Sequence, residues 1–552
     1  MIDNIDLSKI QDENARELIK RLLNLIEKQA ADLRDAQNEI QRMRDEVNRL
    51  KGEQGKPKIK GNTPKLEPTN HSSEKERSKP HERQRRSKKA EIQINEEKVV
   101  TVDPAILPED AKFKGYEDVA VQDILLSSYN TLFHKEKFYA ASTGKTYLAE
   151  LPYGYKGQFG PGIKALTLVL YFGMGTSEPK ILEFYANVGI MISKGELSNL
   201  LIKDKGSFHA EKDAIYEAGL GSSPWQQTDD TQTRVNGKNQ HCHVVCNSVY
   251  TAYHTKPKKD RLSVLDVLRN GRKRIFRLND EALGYLENLP WSKEAWRRLQ
   301  SWNAKDGEQD LEESAFLERL EAVMPKLSQQ MRKALIDAAA VAAYHAETDF
   351  PVVQTLVCDD APQFNWLSRE MMLCWVHEGR HYKKLIPVVT LHREMLEDFL
   401  KCFWEYYDQL LTYRQKPTSK VSLRLEIEFD GLMSTHTGYD ELDQRICKTR
   451  AKKASLLLVL KYPELPLHNN ASELAVRQRV RKRDVSFGPR TEDGVRAWDT
   501  FASLAATTKK LEVSFYRYLH DRISTENLIP PLADLVEIRA KELNLGQSWV
   551  VT

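Results

Sequence analysis

Apolar residues recur every seven positions at the start of the chain. With a at Ile19, Ile26, Leu33, Ile40 and Val47, the d positions are Leu22, Gln29, Ala36, Met43 and Leu50. β-Branched residues at four of five a positions with Leu at some d positions favour a parallel two-stranded coil. The alternative is a helix packed on the body of the same chain. The polar character of the other faces favours a coil over residues 1–51, and dimerisation with it. From 98 to 155 the period shortens to two, in VAVQDILL, NTLFHKEKFYAAS and KTYLAELP, which predicts a small β-rich unit. Residues 156–222 read as helical. ILEFYANVGIMISKGELSNLL has the rhythm of helix, turn at Gly189 and second helix, either a DNA-binding helix-turn-helix or a plain helical hairpin.

The pattern then alternates between sheet and helix. In 223–272, three short strands are joined by an Asn236-Gly237 turn and a polar turn near Asn247, and a helix RLSVLDVLRNG ends at Gly271. Amphipathic helices fill 273–350. Residues 351–385 open with a buried strand, Val352–Val357, that ends in Asp359 and Asp360. A helical insertion occupies 386–465, with Phe403, Trp404, Tyr406 and Tyr407 as its core. Residues 466–522 contain a helix with Asn470 as the expected N-cap and Glu473 at N3, in capping-box spacing, and 523–552 form a tail.

Charge changes this picture in one place. The 552 residues carry 83 Lys+Arg against 79 Asp+Glu, a net of only +4. Residues 51–89 alone carry 13 Lys/Arg and 5 Asp/Glu, so the remainder is net acidic. The segment 52–97 is expected to be a disordered basic linker, with Lys56, Lys58 and Lys60 available to phosphates. No run reaches the ~20 apolar residues of a membrane helix. The polar N-terminus lacks an apolar signal core, which predicts a cytoplasmic protein. Six cysteines without a CxxC pair argue against a disulfide framework and an all-cysteine zinc site. Cys242, Val244 and Cys246 share one face of a strand, with His241 and His243 on the other, so a core strand is expected there.

Three acidic sites carry the chemistry. Asp229 (with Asp230 beside it) lies on the first strand of the meander, Asp359 (with Asp360) follows a buried strand, and Glu473 opens a late helix. This order, strand carboxylate, meander, strand-end carboxylate, helical insertion and helix carboxylate, is what an RNase H-like nuclease needs. Such a core is an α/β fold with a mixed sheet. It holds two divalent cations about 4 Å apart for in-line attack on a phosphodiester. Carboxylate oxygens suit Mg²⁺ or Mn²⁺. Arg477, Arg479, Arg481, Lys482 and Arg483, together in a span of seven residues after Glu473, read as a phosphate-backbone contact. Cys374, Trp375 and His377 open a helix read as packing, with His377 and Arg380 open to a position near DNA.

QTDDTQTRVNGKNQHCHVV, LVCDDAPQFN with CWVHEGRHYKKL, and LPLHNNASELAVRQRVRKRDVSFG with SLAATTKKL resemble the three catalytic blocks of the large transposase of IS66-type bacterial insertion sequences. The leading coil and the GEQGKPKIK linker are similar to that family as well. The resemblance implies a DDE transposase that binds terminal inverted repeats and target DNA, hydrolyses phosphodiesters and transfers strands. Its triad would be Asp229, Asp359 and Glu473 on two Mg²⁺ or Mn²⁺ ions, with Asp230 and Asp360 as fallbacks. It further implies a homodimer or larger assembly with accessory proteins, in the bacterial nucleoid. Two departures stand out. The family's cysteine zinc motif has no counterpart here, so no structural zinc is expected, and His468 stands where the family often has Asp. Two rival readings are a catalytically inactive DNA-binding dimer and an RNase H-like nuclease without strand transfer.

Overall fold

The computed structural model describes residues 10–51, 94–108, 111–124, 126–155 and 157–550. Lys56, Lys58 and Lys60, with most of the expected linker, lie outside them.

The heptad segment forms one helix, α1 (Glu13–Leu50). Its N-terminal half lies on the body of the chain, where Leu23 and Glu27 are buried. The C-terminal half leaves Leu33, Ile40, Met43, Val47 and Leu50 exposed along the a/d seam. The two readings of this helix thus divide it: one half packs within the chain, and the seam of the other half faces outward.

Of the expected β-rich unit, the described residues contain one hairpin, β1 (Lys137–Ala140) with β2 (Lys145–Leu148). The other described residues of 94–155 have no strand pairing, and most of their large apolar side chains are exposed, Tyr129 at 93%. Alternation predicts extended backbone, whereas a ladder also needs a partner strand in register.

Four helices follow: α2 (Pro161–Leu168), α3 (Glu178–Asn187), α4 (Lys194–Ile202) and α5 (Gly206–Gly221). α4 opens with a full capping box, Ser193 and Glu196 bonding each other's backbone N–H groups.

The central sheet has five strands: β3 (Trp225–Val235), β4 (Lys238–Cys246), β5 (Thr251–Lys256), β8 (Thr355–Cys358) and β9 (Glu370–Leu373). Their order is β5-β4-β3-β8-β9, with β3, β4 and β5 antiparallel and β8 and β9 parallel to β3. The β3–β4 turn is Asn236-Gly237, both at positive φ (47° and 77°), as a two-residue type I′ hairpin requires. Between β5 and β8 run α6 (Arg261–Leu268) and a small lobe. The lobe comprises the pair β6 (Ile275–Phe276) and β7 (Leu311–Glu312) with α7 (Asp280–Leu286), α8 (Lys293–Asp306), α9 (Glu313–Val323) and α10 (Gln329–His345). α6 starts on Asp260, which accepts the N–H of Ser263, and ends at Gly271 with φ 73°.

After β9 come α11 (Trp375–Tyr382) and the helical insertion: α12 (Thr390–Gln415), α13 (Ser419–Leu432), α14 (Asp440–Arg450), α15 (Lys453–Leu456) and α16 (Leu458–Lys461). Phe403, Trp404, Tyr406 and Tyr407 sit in its core, as expected. The chain closes with α17 (Asn470–Ser486), α18 (Glu492–Lys510), α19 (Phe515–Ser524), α20 (Leu532–Glu542) and α21 (Gln547–Val550).

The period of two along the strands sorts the core into two faces. Trp225 and Val357 pack with the insertion, and Cys242, Val244 and Tyr253 pack against Ala475 of α17. On the opposite face Val245, Ala252, Leu356 and Cys358 join the larger core built with α5, α6 and α10. Cys242 and Cys246 are buried free thiols. Among the described residues no helix is long and apolar enough to cross a membrane.

Candidate active site

Asp229 lies midway along β3, paired with Val244 of β4. The parallel β3–β8 register sets Gln227 beside Val357. Carried two residues further, that register would bring Asp229 level with Asp359, one residue past the end of β8, and the charge of Asp359 is felt at Asp229. Because side chains alternate, Asp229 shares its face with Val244 and Tyr253, the face that α17 covers. Asp230 points to the opposite face and accepts a hydrogen bond from Gln363 Nε2 at 2.9 Å. Asp360 turns outward to Lys452, 2.5 Å away. Asp230 and Asp360 are thus each engaged by a neighbouring side chain, Gln363 and Lys452.

The start of α17 is fixed by Asn469. Its Nδ2 donates to Thr228 O on β3 at 2.7 Å, and its N–H donates to Cys374 Sγ at 3.3 Å. This differs from the expected capping box. The N-cap is Asn469 rather than Asn470, and no side chain caps the helix. Asn469 is committed to the sheet, so Glu473 moves one position further into the helix and its carboxylate is free for other partners. Oε2 accepts from Arg380 Nη2 at 3.1 Å, and Oε1 lies 3.7 Å from His377 Nδ1. Arg380 Nη1 also lies 2.9 Å from His377 Nε2. With Arg380 donating to Nε2, the ring proton belongs on Nδ1, facing Glu473.

His377 and Arg380 stand on α11, which begins beside α17 because Trp375 N–H donates to Leu467 O at 2.9 Å. Close packing holds α11: a Cβ at Gly379 would lie 2.4 Å from the Trp404 ring. His377 packs as expected at the start of this helix, whereas the Arg380 bond to Glu473 is not legible in the sequence. The i, i+3 spacing puts them on one helical face, but their partner lies 93 residues away in sequence.

The electrostatics report crowded acid. Burial, with Asp359, Asp230 and Glu473 nearby, pushes the Asp229 carboxyl up to about 7, against the bond it accepts from Asp230 N–H. Burial also raises Asp359, against the neighbouring His377 and the N–H of Ala361. Burial lowers His377, against Glu473. Such uncompensated carboxylates suit a hard divalent cation, so this donor set fits Mg²⁺ or Mn²⁺.

The group whose ligand atoms all approach within 4.8 Å is different: Cys374, His377 and Glu473. Glu473 is thus drawn toward α11 rather than closed onto the aspartates. Burial pushes the Cys374 thiol up to about 11, so it stays protonated and serves as acceptor for Asn469.

The basic run divides. Arg477 and Arg481 are exposed on α17. Arg479 is buried 3.6 Å from Asp499 and stacks over Trp498, 4.3 Å from the ring centroid. Lys482 donates to Thr176 O at 3.0 Å and lies 3.4 Å from the Tyr171 ring centroid. Burial lowers its ammonium to about 7. Arg483 donates to Gln232 O. Arg479 and Lys482 are therefore withdrawn from any phosphate surface. A helix carrying five basic residues in seven cannot keep them all on its outer face.

Comparison with known proteins supplies the class. A family model for transposases matches residues 322–497, a span that contains Asp359, Glu473 and the insertion between them and begins after Asp229. The chain is also 31% identical over 327 residues to the uncharacterized protein y4jO of Sinorhizobium fredii (strain NBRC 101917 / NGR234), covering 59% of this chain and all of that protein. The chain belongs to the transposase IS66 family. No solved structure matches it.

Proposed function

We propose that this chain is a DDE transposase with an RNase H-like core. It would bind insertion-sequence ends and catalyse metal-dependent hydrolysis and strand transfer. The observation that supports this reading is the β3–β8 register, which sets Gln227 beside Val357 two residues before Asp229 and Asp359, on the sheet face that α17 covers. The sheet order, an antiparallel meander flanked by two strands parallel to its first, is the order such a core uses.

Asp229, Asp359 and Glu473 would hold Mg²⁺ or Mn²⁺, two ions per site. Bound there, the ions would polarise the phosphodiester and favour the attacking oxygen's deprotonation. Asp229 must first lose the proton that its surroundings favour. The inward side chains of α17 fix Glu473 in place, while Arg477 and Arg481 face outward toward the DNA backbone. The exposed seam of α1 would join two protomers, each contributing one site to one transposon end. Accessory proteins and a nucleoid-associated cytoplasmic location follow from the same reading.

One observation favours a second reading. Glu473 pairs with Arg380 rather than joining the aspartates, which suits a catalytically inactive DNA-binding dimer. A strand-transfer assay on DNA flanking the gene, with Mg²⁺ or Mn²⁺, separates the readings. Wild type should join ends, and Asp229→Ala, Asp359→Ala and Glu473→Ala should each abolish joining. Binding without cleavage by the wild type would support the inactive dimer, and cleavage without joining a plain nuclease.

A further inference from the structure

We propose that Arg380 is a stand-in cation which parks Glu473 away from the aspartates until a DNA phosphate draws the guanidinium off. Metal binding and DNA binding are thereby coupled. This inference rests on the reading of Asp229, Asp359 and Glu473 as the metal site.

Three observations lead to it. First, Glu473 pairs with Arg380 and groups with Cys374 and His377, whereas among the described residues the three triad carboxylates do not all lie within 4.8 Å of one another. Second, the two partners differ in exposure: the Glu473 side chain is 18% exposed and Arg380 is 48% exposed. Arg380 therefore stands at the rim, where a phosphate can reach it, while Glu473 stays inside. Third, Arg380 is the closer of the two neighbours, with Nη2 3.1 Å from Glu473 against 3.7 Å for His377 Nδ1. Arg380 is then the cation that balances Glu473.

A guanidinium and a dication cannot share one carboxylate without repelling each other. Metal capture by Glu473 therefore weakens its pair with Arg380. A half-exposed ion pair is weak, so it yields to a better partner. The planar two-pronged guanidinium matches phosphate oxygens well, and a DNA backbone offers them at the rim. With Arg380 on phosphate, Glu473 is released toward Asp229 and Asp359. Arg380 acts through Glu473 and is a positioning residue.

Linkage makes the coupling reciprocal: what DNA does for the metal, the metal does for DNA. The test uses full-length protein and two readouts. Mn²⁺ binding is followed by electron paramagnetic resonance without DNA. Binding of a short labelled duplex from the DNA flanking the gene is followed by anisotropy, with and without Ca²⁺. Arg380→Gln should bind Mn²⁺ several-fold more tightly than wild type in the absence of DNA. Ca²⁺ should strengthen duplex binding several-fold in wild type and far less in Arg380→Gln, with partial recovery in Arg380→Lys. Equal Mn²⁺ affinity in wild type and Arg380→Gln, or an undiminished Ca²⁺ effect in Arg380→Gln, overturns the inference. Asp229→Asn serves as reference. If it binds Mn²⁺ as wild type does, the site assignment itself fails. If Asp229→Asn loses Mn²⁺ but Arg380→Gln changes nothing, only the role of Arg380 fails.

Discussion

Ser503 Oγ accepts the N–H of Tyr253 at 2.9 Å, one of three such bonds between α18 and the edge strand β5. Thr251 N–H donates to Thr507 Oγ1 at 3.2 Å, and Thr255 N–H to Asp499 Oδ2 at 2.6 Å. Four helical residues rise about 6.0 Å and two strand residues about 6.8 Å. Side chains at every fourth helix position can therefore follow alternate amides of a strand running the other way. The helix acts as a sixth strand and covers an edge that would otherwise be open to pairing with another chain.

Ser503→Ala leaves the buried Tyr253 N–H without its acceptor. The expected cost is about 1–3 kcal/mol, read as a lower urea midpoint at unchanged slope. The Tyr253 amide should also lose hydrogen-exchange protection. Unchanged protection would mean that the bond does not form.

Asp229 links stability to pH. A carboxyl normally near 3.9 that burial and its acidic neighbours push up to about 7 keeps its proton in the folded chain after the unfolded chain has released it. Stability should then fall as pH rises through that window and level off above about 7. Asp229→Asn removes the penalty. The variant should be more stable than metal-free wild type near pH 8, by at most about 4 kcal/mol, and equal to it near pH 4. Urea unfolding at the two pH values checks this. A variant no more stable at the higher pH would remove the case for a crowded site.

Glu27 closes a helix that belongs to another part of the chain. Its carboxylate accepts the N–H groups of Val388 and Val389, at 2.8–3.0 Å, at the start of α12. It also lies 3.2 Å from His392 Nδ1. Glu27→Ala should free α1 from the insertion, at a cost of about 1–3 kcal/mol for the orphaned donors. Proteolysis within α1 should speed up while the sheet amides keep their protection. Ile40→Lys, on the exposed seam, should leave this docking intact and convert a dimer to a monomer in sedimentation. A wild type that sediments as a monomer would remove the coiled-coil reading.

Local sequence carried part of this structure. The meander was legible because Asn236-Gly237 fixes a two-residue turn and the alternation on either side fixes the register. The preference for Asp229 and Asp359 over Asp230 and Asp360 came from the family resemblance, and the alternation of β3 adds only that Asp229 and Asp230 point to opposite faces. Elsewhere the deciding partner was distant. Asn470 and Glu473 have capping-box spacing, but Asn469 bonds to Thr228, 241 residues away, and the box does not form. β9 is only four residues long and exists because β8 offers it a ladder. The apolar residues of 94–155 alternate like strands, yet in this single chain they find a partner only in the short hairpin.

The basic run of α17 offers the sharpest check on how DNA is held. Only side chains that reach water can release counterions from phosphates, and each such contact contributes about 0.9 to the slope of log affinity against log salt. Arg477 and Arg481 are exposed, so Arg477→Gln and Arg481→Gln should each flatten that slope by roughly 0.9. Fold stability should change by no more than about 0.5 kcal/mol. Lys482 is the contrasting case. Its ammonium sits against Tyr171, and burial lowers it to about 7, so near neutral pH it carries only part of a charge. Lys482→Met should leave the salt slope unchanged. Any effect should appear in unfolding, where the lost bond to Thr176 O is offset by relief of a buried charge. Salt titrations of duplex binding on the three variants decide the matter. A slope that drops for Lys482→Met but not for Arg477→Gln would mean that α17 meets DNA with the opposite face, the one now packed against the sheet.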